Sequence, residues 1–281
     1  MPFVATDSAF DAQRSGALHL SIQSDLSGLC FCVLDLDSRR YVAFKSIPYA
    51  QPIVDYNDMQ PALGRLLDSE PLLNAGFGSV SYLYASRHAT LIPDALLERD
   101  LLKSFLELNN PLNELDEVHS CFLPQLNAAV AFAVPSPFAA ALLEKYGSVK
   151  FYHQSVPMLK RLQEYVSVYK LENLFAVNIN NGFADIALHA YGTLQIYNTF
   201  TLHAPEDLAY FMLAIARRQC IPESKTSVLL SGDIEEYIKN FPSMFRTLIP
   251  AMPRTQMSIA YELSTIAGYR FTHLFSLYEC V

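Results

Sequence analysis

The chain has 281 residues, of which 51% are hydrophobic and 17% charged, and its formal net charge is −8. This composition excludes disordered and low-complexity chains, and the negative charge disfavours nucleic acid and anionic membranes as partners. No apolar run reaches the roughly 18 residues of a membrane-spanning helix, so we expect no membrane insertion. The length fits one large domain or two medium-sized ones.

Five cysteines are scattered along the chain: Cys30, Cys32, Cys121, Cys220 and Cys280. Cys30 and Cys32 are two residues apart, which places both on one face of a strand and not in the CxxC turn of a metal knuckle. We therefore expect buried free thiols and no metal site. Free thiols are typical of a reducing compartment, so the expected location is the cytoplasm.

The first residues predict a polar tail over residues 1–16, and a meander of three strands follows it. β-branched and aromatic residues between Asp, Ser and Gly turns predict these strands at Leu18–Gln23, Leu29–Asp35 and Tyr41–Ile47. Helices are predicted next at Asn57–Leu67, Asp94–Leu108, Pro135–Tyr146 and Ser155–Val168. The strands predicted between the helices are Ser79–Ala85, Ala89–Ile92, Val118–Phe122, Ala128–Val134 and Val149–Tyr152.

The same pattern then starts again with a second meander. Its strands are predicted at Leu174–Ile179, Phe183–Ala190 and Thr193–Phe200. The elements predicted after it are a helix that begins at Pro205, a strand at Ser227–Leu230, a helix at Asp233–Asn240 and a final strand at Phe271–Tyr278.

The two meanders come into register when Gln23 is set against Asn178, an offset of 155 residues. We interpret this as an internal duplication, with halves at residues 17–168 and 169–281. The predicted fold class is therefore α/β, with two βββαβαβα halves and mixed sheets.

This plan resembles the actin-like ATPase (ribonuclease H-like) fold of sugar kinases, heat-shock chaperones and bacterial actin relatives. The sequence VNINNGFADIALHAYGTLQIY is similar to the family's second phosphate segment, an apolar residue followed by Asp-Ile-Gly-x-Gly-Thr-Thr-Asp. Asn178 stands at the metal-linked aspartate, Gly182 keeps the second glycine, and Asp185 keeps the final acid. Phe183 and Ala184 replace the two threonines.

The first half is similar to the family's first phosphate segment in LSIQSDLSGLCF, with Gln23 at the usual aspartate. Gln154 matches a position that orients the attacking water in some members, and VLLSGDIEE, with Gly232, resembles the adenosine segment. The resemblance places the chain in a bacterial family near the pilus- and secretion-assembly actin-like proteins. The nucleotide cleft that it implies consists of Gln23, Ser24, Asn178, Asn180, Asn181, Gly182, Asp185 and Gly232, with Gln154 as the catalytic candidate.

Phosphoryl transfer needs a divalent ion held by carboxylates, because the charge on the phosphates must be neutralised. The amides of Gln23 and Asn178 supply no negative charge, so the implied cofactor, ATP with magnesium, fits this sequence poorly. Asn180–Asn181–Gly182 has an alternative interpretation as a plain hairpin turn, since Asn and Gly accept positive φ.

Two functions from different classes remain. The lost carboxylates favour a non-catalytic actin-like scaffold or interaction module whose partner is another protein, with a cleft that is either closed or binds nucleotide without efficient hydrolysis. The alternative is an active ATPase or small-molecule kinase that uses substitute residues such as Asp25, Asp185 and Gln154. The oligomeric state stays open, and a homo-oligomer is one alternative.

Overall fold

The computed structural model of the chain describes residues 3–7, 10–11, 15–51, 53, 58–109, 111–239, 241, 245–251, 255–264 and 268–280. Its strands are β1 (Phe3–Thr6), β2 (Leu18–Ser24), β3 (Gly28–Asp35), β4 (Arg40–Pro48), β5 (Ser79–Tyr84), β6 (Ala89–Pro93), β7 (Asp116–Leu123), β8 (Ala128–Pro135), β9 (Lys150–His153), β10 (Asn173–Asn180), β11 (Phe183–Ala190), β12 (Thr193–Thr201), β13 (Thr226–Gly232), β14 (Thr247–Pro250) and β15 (Ser258–Ile259). Its α-helices are α1 (Met59–Ser69), α2 (Leu102–Glu107), α3 (Ser136–Tyr146), α4 (Ser155–Tyr169), α5 (Pro205–Arg218), α6 (Glu235–Lys239), α7 (Tyr261–Ser264) and α8 (Thr272–Phe275).

The strands form three sheets. The first has the order β1-β4-β3-β2-β5-β9, with β15 paired to β4, and the second has the order β12-β11-β10-β13-β14. In both sheets an antiparallel meander continues into parallel strands, because helices carry the chain back across the sheet. The segment β4-β3-β2-β5-β9 thus has the same order as the whole second sheet, which confirms the predicted α/β class with mixed sheets.

The third sheet, β6-β8-β7, is antiparallel and inserted between β5 and α3. Helix α2 covers one face of it, where Leu106 packs with Ile92, Ala131 and Ala133. The insertion is therefore a small layered unit with a core of its own.

Two further hydrophobic cores lie between the large sheets and the helices packed against them. Leu63 of α1, Leu142 of α3 and Leu159 of α4 belong to the core of the first sheet. Met212 of α5 packs with Phe175 in the core of the second sheet. Burial of these apolar faces is the main source of stability for both layers.

The other face of the first sheet is covered by the C-terminal segment. Leu274 and Phe275 of α8 pack with Cys32 and Phe44, and Tyr41 Oη donates a 2.6 Å hydrogen bond to the Phe275 carbonyl. The final strand predicted at Phe271–Tyr278 is therefore wrong, because this segment is helical. Phe271, Leu274 and Phe275 have the i, i+3, i+4 spacing of one helix face.

Two other predictions need correction, and one stays open. The predicted polar tail contains a strand, β1, which pairs with β4. Residues 1–2, 8–9 and 12–14 of that tail lie outside the described residues, and so do the predicted helix ends Asn57 and Asn240. The helix predicted at Asp94–Leu108 is broken, because Leu97 and Glu98 have extended backbone before α2 begins. The boundary between the halves at residue 168 stays a prediction.

Among the described residues, we find no helix with the length and apolar character needed to cross a lipid bilayer.

Candidate functional site

A cleft of about 280 Å³ lies between the two large sheets, at the ends of β2 and β10. The carboxyl ends of parallel neighbours meet at one edge of a sheet, so the β2–β5 and β10–β13 pairs bring their terminal residues together. Six residues that the sequence predicted line this cleft: Gln23, Ser24, Gln154, Asn178, Asn180 and Gly232. Asn181, Gly182 and Asp185 lie outside its lining.

The β2–β3 turn is held by its own aspartate. Asp25 Oδ1 accepts hydrogen bonds from the Ser27 amide at 2.7 Å, the Ser27 hydroxyl at 2.6 Å and the Gly28 amide at 3.1 Å. Amides of such a turn are the groups that would bind a phosphate in this position. Here they are already occupied by a carboxylate of the same chain.

The β10–β11 turn reaches across to this aspartate. Asn181 Nδ2 donates a 2.8 Å hydrogen bond to Asp25 Oδ2, which is a contact between the ends of the two large sheets. Asn181 and Gly182 both have positive φ, +39° and +78°, as a tight two-residue hairpin turn requires. The Asn-Gly pair is therefore explained by the turn, and its amide side chain joins the two turns.

Gln154 is the centre of a buried hydrogen-bond network at the start of α4. Its Nε2 donates to the Ser86 carbonyl at 2.6 Å and to Asp185 Oδ2 at 2.9 Å, and its Oε1 accepts from the Ser86 amide at 3.1 Å. Asp185 is fully buried and also accepts hydrogen bonds from Tyr197 Oη at 2.9 Å and Thr199 Oγ1 at 2.7 Å. Both amide hydrogens of Gln154 are thus donated within the protein, and neither is free to donate to a water molecule.

Asn178 also has a partner within its own sheet. Its Oδ1 accepts a 3.1 Å hydrogen bond from Ser231 Oγ, and Ser231 lies 3.0 Å from His273 Nε2. Burial lowers the pKa of His273 to about 4, so this histidine is neutral near pH 7. Neither Ser231 nor His273 was a candidate from the sequence, since they come together only through packing of the C-terminal segment.

Gly232 has a steric role at the end of β13. It adopts a φ of +84°, and a Cβ at this position would collide with the carbonyl oxygen of Ile179 on the neighbouring strand. The Asp233 amide then donates a 3.0 Å hydrogen bond to the same carbonyl. The glycine is thus needed for close approach of two strand ends.

The charged groups of the cleft are largely paired with each other. Arg270 contacts Asp233 Oδ1 through Nε at 3.3 Å and Glu235 Oε1 through Nη2 at 2.9 Å. Burial raises the pKa of Asp233, while Arg270 acts in the opposite direction. The guanidinium therefore already has two carboxylate partners.

Residues 7–248 match a family described as "Protein of unknown function (DUF3822)". The chain belongs to the DUF3822 family. No curated protein matches its sequence.

Solved structures show what fold this DUF3822 member has. A Bacteroides thetaiotaomicron protein with actin-like ATPase fold and unknown function is similar over 86% of this chain and 94% of its own, with 21% identity and a TM-score of 0.71. A structure described as the PilM-PilN type IV pilus biogenesis complex is similar over 92% of this chain and 97% of the other, with 12% identity and a TM-score of 0.57. The predicted actin-like ATPase fold is thereby confirmed.

The fold family implies a nucleotide with magnesium, but the residues of this DUF3822 cleft fit that group poorly. Gln23 and Asn178 are neutral where a cation needs carboxylates, and Asp25 is bonded to its own turn and to Asn181. In the part of the chain that the structure describes, no three His, Cys, Asp or Glu residues lie close enough to hold a metal ion.

Proposed function

We propose that this DUF3822 protein is a non-catalytic, degenerate actin-like ATPase-fold protein that acts as a scaffold for another protein. The observation that carries the proposal is the position of Asp25, whose carboxylate occupies the turn amides that a phosphate would need. A nucleotide phosphate would have to displace three hydrogen bonds and approach a negative charge.

The network of Gln154 supports the same proposal. Gln154 donates both of its amide hydrogens, to the Ser86 carbonyl and to Asp185, and accepts from the Ser86 amide, so its side chain is held by contacts within the protein. The loss of carboxylates at positions 23 and 178 removes electrostatic stabilisation of a kind worth about 3–4 kcal/mol per group.

The partner is a protein in this proposal, and the fold similarity to PilM supports that choice. The description of that structure names a complex of PilM with PilN. The net charge of −8 disfavours nucleic acid. All five cysteines are free thiols, which supports a location in the reducing cytoplasm.

The alternative is an active ATPase or small-molecule kinase. One observation favours it, since Asp25 and Asp233 both line the cleft and could become ligands if their present partners were released. An active enzyme of this kind would require the Asp25–Asn181 hydrogen bond to break during each turnover.

Thermal unfolding with ATP and magnesium decides between the two functions. A nucleotide that binds only the folded protein raises the midpoint, so the scaffold predicts the same midpoint with and without ATP. Magnesium alone and ATP with a chelator are the controls for ionic effects. A magnesium-dependent rise of the melting midpoint together with ATP turnover at about 1 s⁻¹, an ordinary kinase rate, would overturn the proposal.

A further inference from the structure

Three neutral amide side chains of the cleft have hydrogen-bonding groups without a partner. Gln23 and Asn180 line the cleft, and among the residues that the structure describes neither side chain makes a hydrogen bond. Asn178 accepts from Ser231 through Oδ1, but its Nδ2 has no partner within the described chain. Asn178 and Asn180 are only 4% and 8% exposed. Buried amides normally have partners, so three such groups around one cleft point to a ligand that supplies them.

Strand register places these amides on two walls of the cleft. Gln23 on β2, Cys30 on β3 and Ser46 on β4 are direct cross-strand neighbours, so they form one row on the same face of the first sheet. Neighbouring strands are about 4.8 Å apart, so this row spans about 10 Å. Asn178 and Asn180 are two residues apart on β10 and therefore share one face of the second sheet.

The cleft is also small and partly apolar. Its volume of about 280 Å³ lies just under the usual range of ligand pockets, about 300–1,000 Å³, so it suits a ligand of about one ring. Cys30, Pro48 and Phe271 add apolar surface to its lining. A sugar has hydroxyl groups around its whole ring, and those that face this surface would lose water without gaining a partner. A planar ring buries its faces there and keeps its hydrogen-bonding groups at the edge.

The charged groups of the cleft disfavour an ion as the ligand. Asp25 accepts four hydrogen bonds from its own chain, and Arg270 contacts both Asp233 and Glu235. A bound ion would have to displace such partners and lose its own hydration. Each unpaired amide instead offers a donor and an acceptor side by side. The group that complements it is another neutral amide.

We propose that the cleft binds a small planar ligand with an uncharged carboxamide or lactam group, held by the amide side chains of Gln23, Asn178 and Asn180. The inference goes beyond the proposed scaffold role, because it assigns the cleft a ligand of its own. Aromatic carboxamides and nucleobases share this chemistry, and both have the size of the cleft.

Three probes of one shape separate the effect of charge from that of shape. Benzamide is neutral, benzoate is an anion and benzamidine is a cation, and each has a planar ring with a two-atom fork. Calorimetric titration of the full chain should give benzamide a dissociation constant below about 1 mM, and values at least about tenfold higher for the two ions. Benzoate or benzamidine binding as tightly as benzamide would overturn recognition by neutral amides.

Isosteric variants test the named side chains. Gln23→Glu keeps the shape of the side chain but replaces its donor with a negative charge, so benzamide should bind about tenfold more weakly and benzamidine more tightly. Asn180→Ala removes an amide that has no structural bond to lose and should also weaken benzamide binding. Gln125→Glu adds the same charge at an exposed position outside the cleft and should leave both affinities unchanged. Unchanged benzamide binding in both cleft variants would reject the site.

Further titrations identify the source of the amide and separate this inference from the scaffold role. Tighter binding of nicotinamide than of uracil assigns the site to carboxamides, and the reverse assigns it to lactams. Glucose binding more tightly than either would overturn the planar ligand. No binding of any amide probe would refute the site and leave the scaffold role standing, whereas ATP turnover together with benzamide binding would refute only the non-catalytic role. Melting midpoints near that of the parent verify that each variant is folded.

Discussion

Asn181 Nδ2 donates a 2.8 Å hydrogen bond to Asp25 Oδ2, and this bond joins the β10–β11 turn to the β2–β3 turn. Its partners are 156 residues apart in the chain. The bond therefore depends on how the two large sheets are placed relative to each other, and it reports on whether the cleft between them is closed.

A double-mutant cycle should detect this bond. Asp25→Ala and Asn181→Gly, which keeps positive φ accessible, should each destabilise the protein, and their coupling energy should be about 0.5–1 kcal/mol. Urea unfolding of the parent, both single variants and the double variant measures the coupling. Asn181→Gly with Asp68→Ala, an exposed residue on α1, is the additive control. Additive losses for the first pair would show that the two side chains do not interact in solution.

Carboxylates restored at positions 23 and 178 should create a response to magnesium. Both residues line one cleft, so Gln23→Asp with Asn178→Asp brings two negative charges together and should lower the melting midpoint. Magnesium should recover that loss and leave the parent almost unchanged. Melting curves at constant ionic strength measure the effect. Asn109→Asp with Asn198→Asp adds the same charge at exposed positions and should show no magnesium response. Equal magnesium shifts in both double variants would refute a shared cleft.

Acidification should destabilise the fold through buried histidines. Burial lowers the pKa of both His19 and His273 from 6.5 to about 4. The unfolded chain protonates these histidines below about pH 6.5, whereas the folded protein protonates them only near pH 4. The free energy of unfolding therefore falls as the pH is lowered from 6.5 to about 4. The loss should be on the order of a few kcal/mol, measured by urea unfolding at several pH values. His273→Asn should flatten this profile, and His203→Asn, at an exposed position, should not. Parallel profiles for the parent and His273→Asn would contradict the argument.

Gly232→Ala should separate steric conflict from backbone strain. Gly232 and Gly192 have nearly equal φ values, +84° and +81°, but a Cβ at Gly192 meets no atom within 4 Å. Gly192→Ala should therefore cost about 1 kcal/mol, and Gly232→Ala about 2 kcal/mol more because of the Ile179 backbone. Denaturant unfolding of both variants measures the difference. Equal costs would mean that β13 can shift away from β10 without penalty.

The meanders could be predicted because their turns have local signals. Asp25, Ser27 and Gly28 form one such turn, and Asn181–Gly182 forms another. The segment that contains α8 was predicted as a strand. Phe271, Leu274 and Phe275 have the spacing of one helix face, but in so short an apolar run the periodicity does not distinguish a helix from a strand.

The sequence named several residues of one cleft but not the hydrogen bonds between them. Gln23, Asn178 and Gln154 line this cleft, and their assignment to a nucleotide site stays a prediction. Asp25 was considered only as a substitute acid, and the Asx pattern from Asp25 to Gly28 could have revealed its turn bonds. Its bond to Asn181 depends on residues far apart in sequence, which no local pattern contains.

The covering of the first sheet by α8 has a consequence for how the chain folds as the ribosome makes it. Tyr41 and its partner Phe275 are 234 residues apart, so β2, β3 and β4 leave the ribosome long before their cover does. Until then, the face with Cys32 and Phe44 has no apolar partner from the C-terminal segment. An uncovered apolar sheet face favours association with other chains, so this interval is the stage of synthesis most exposed to aggregation and to capture by chaperones.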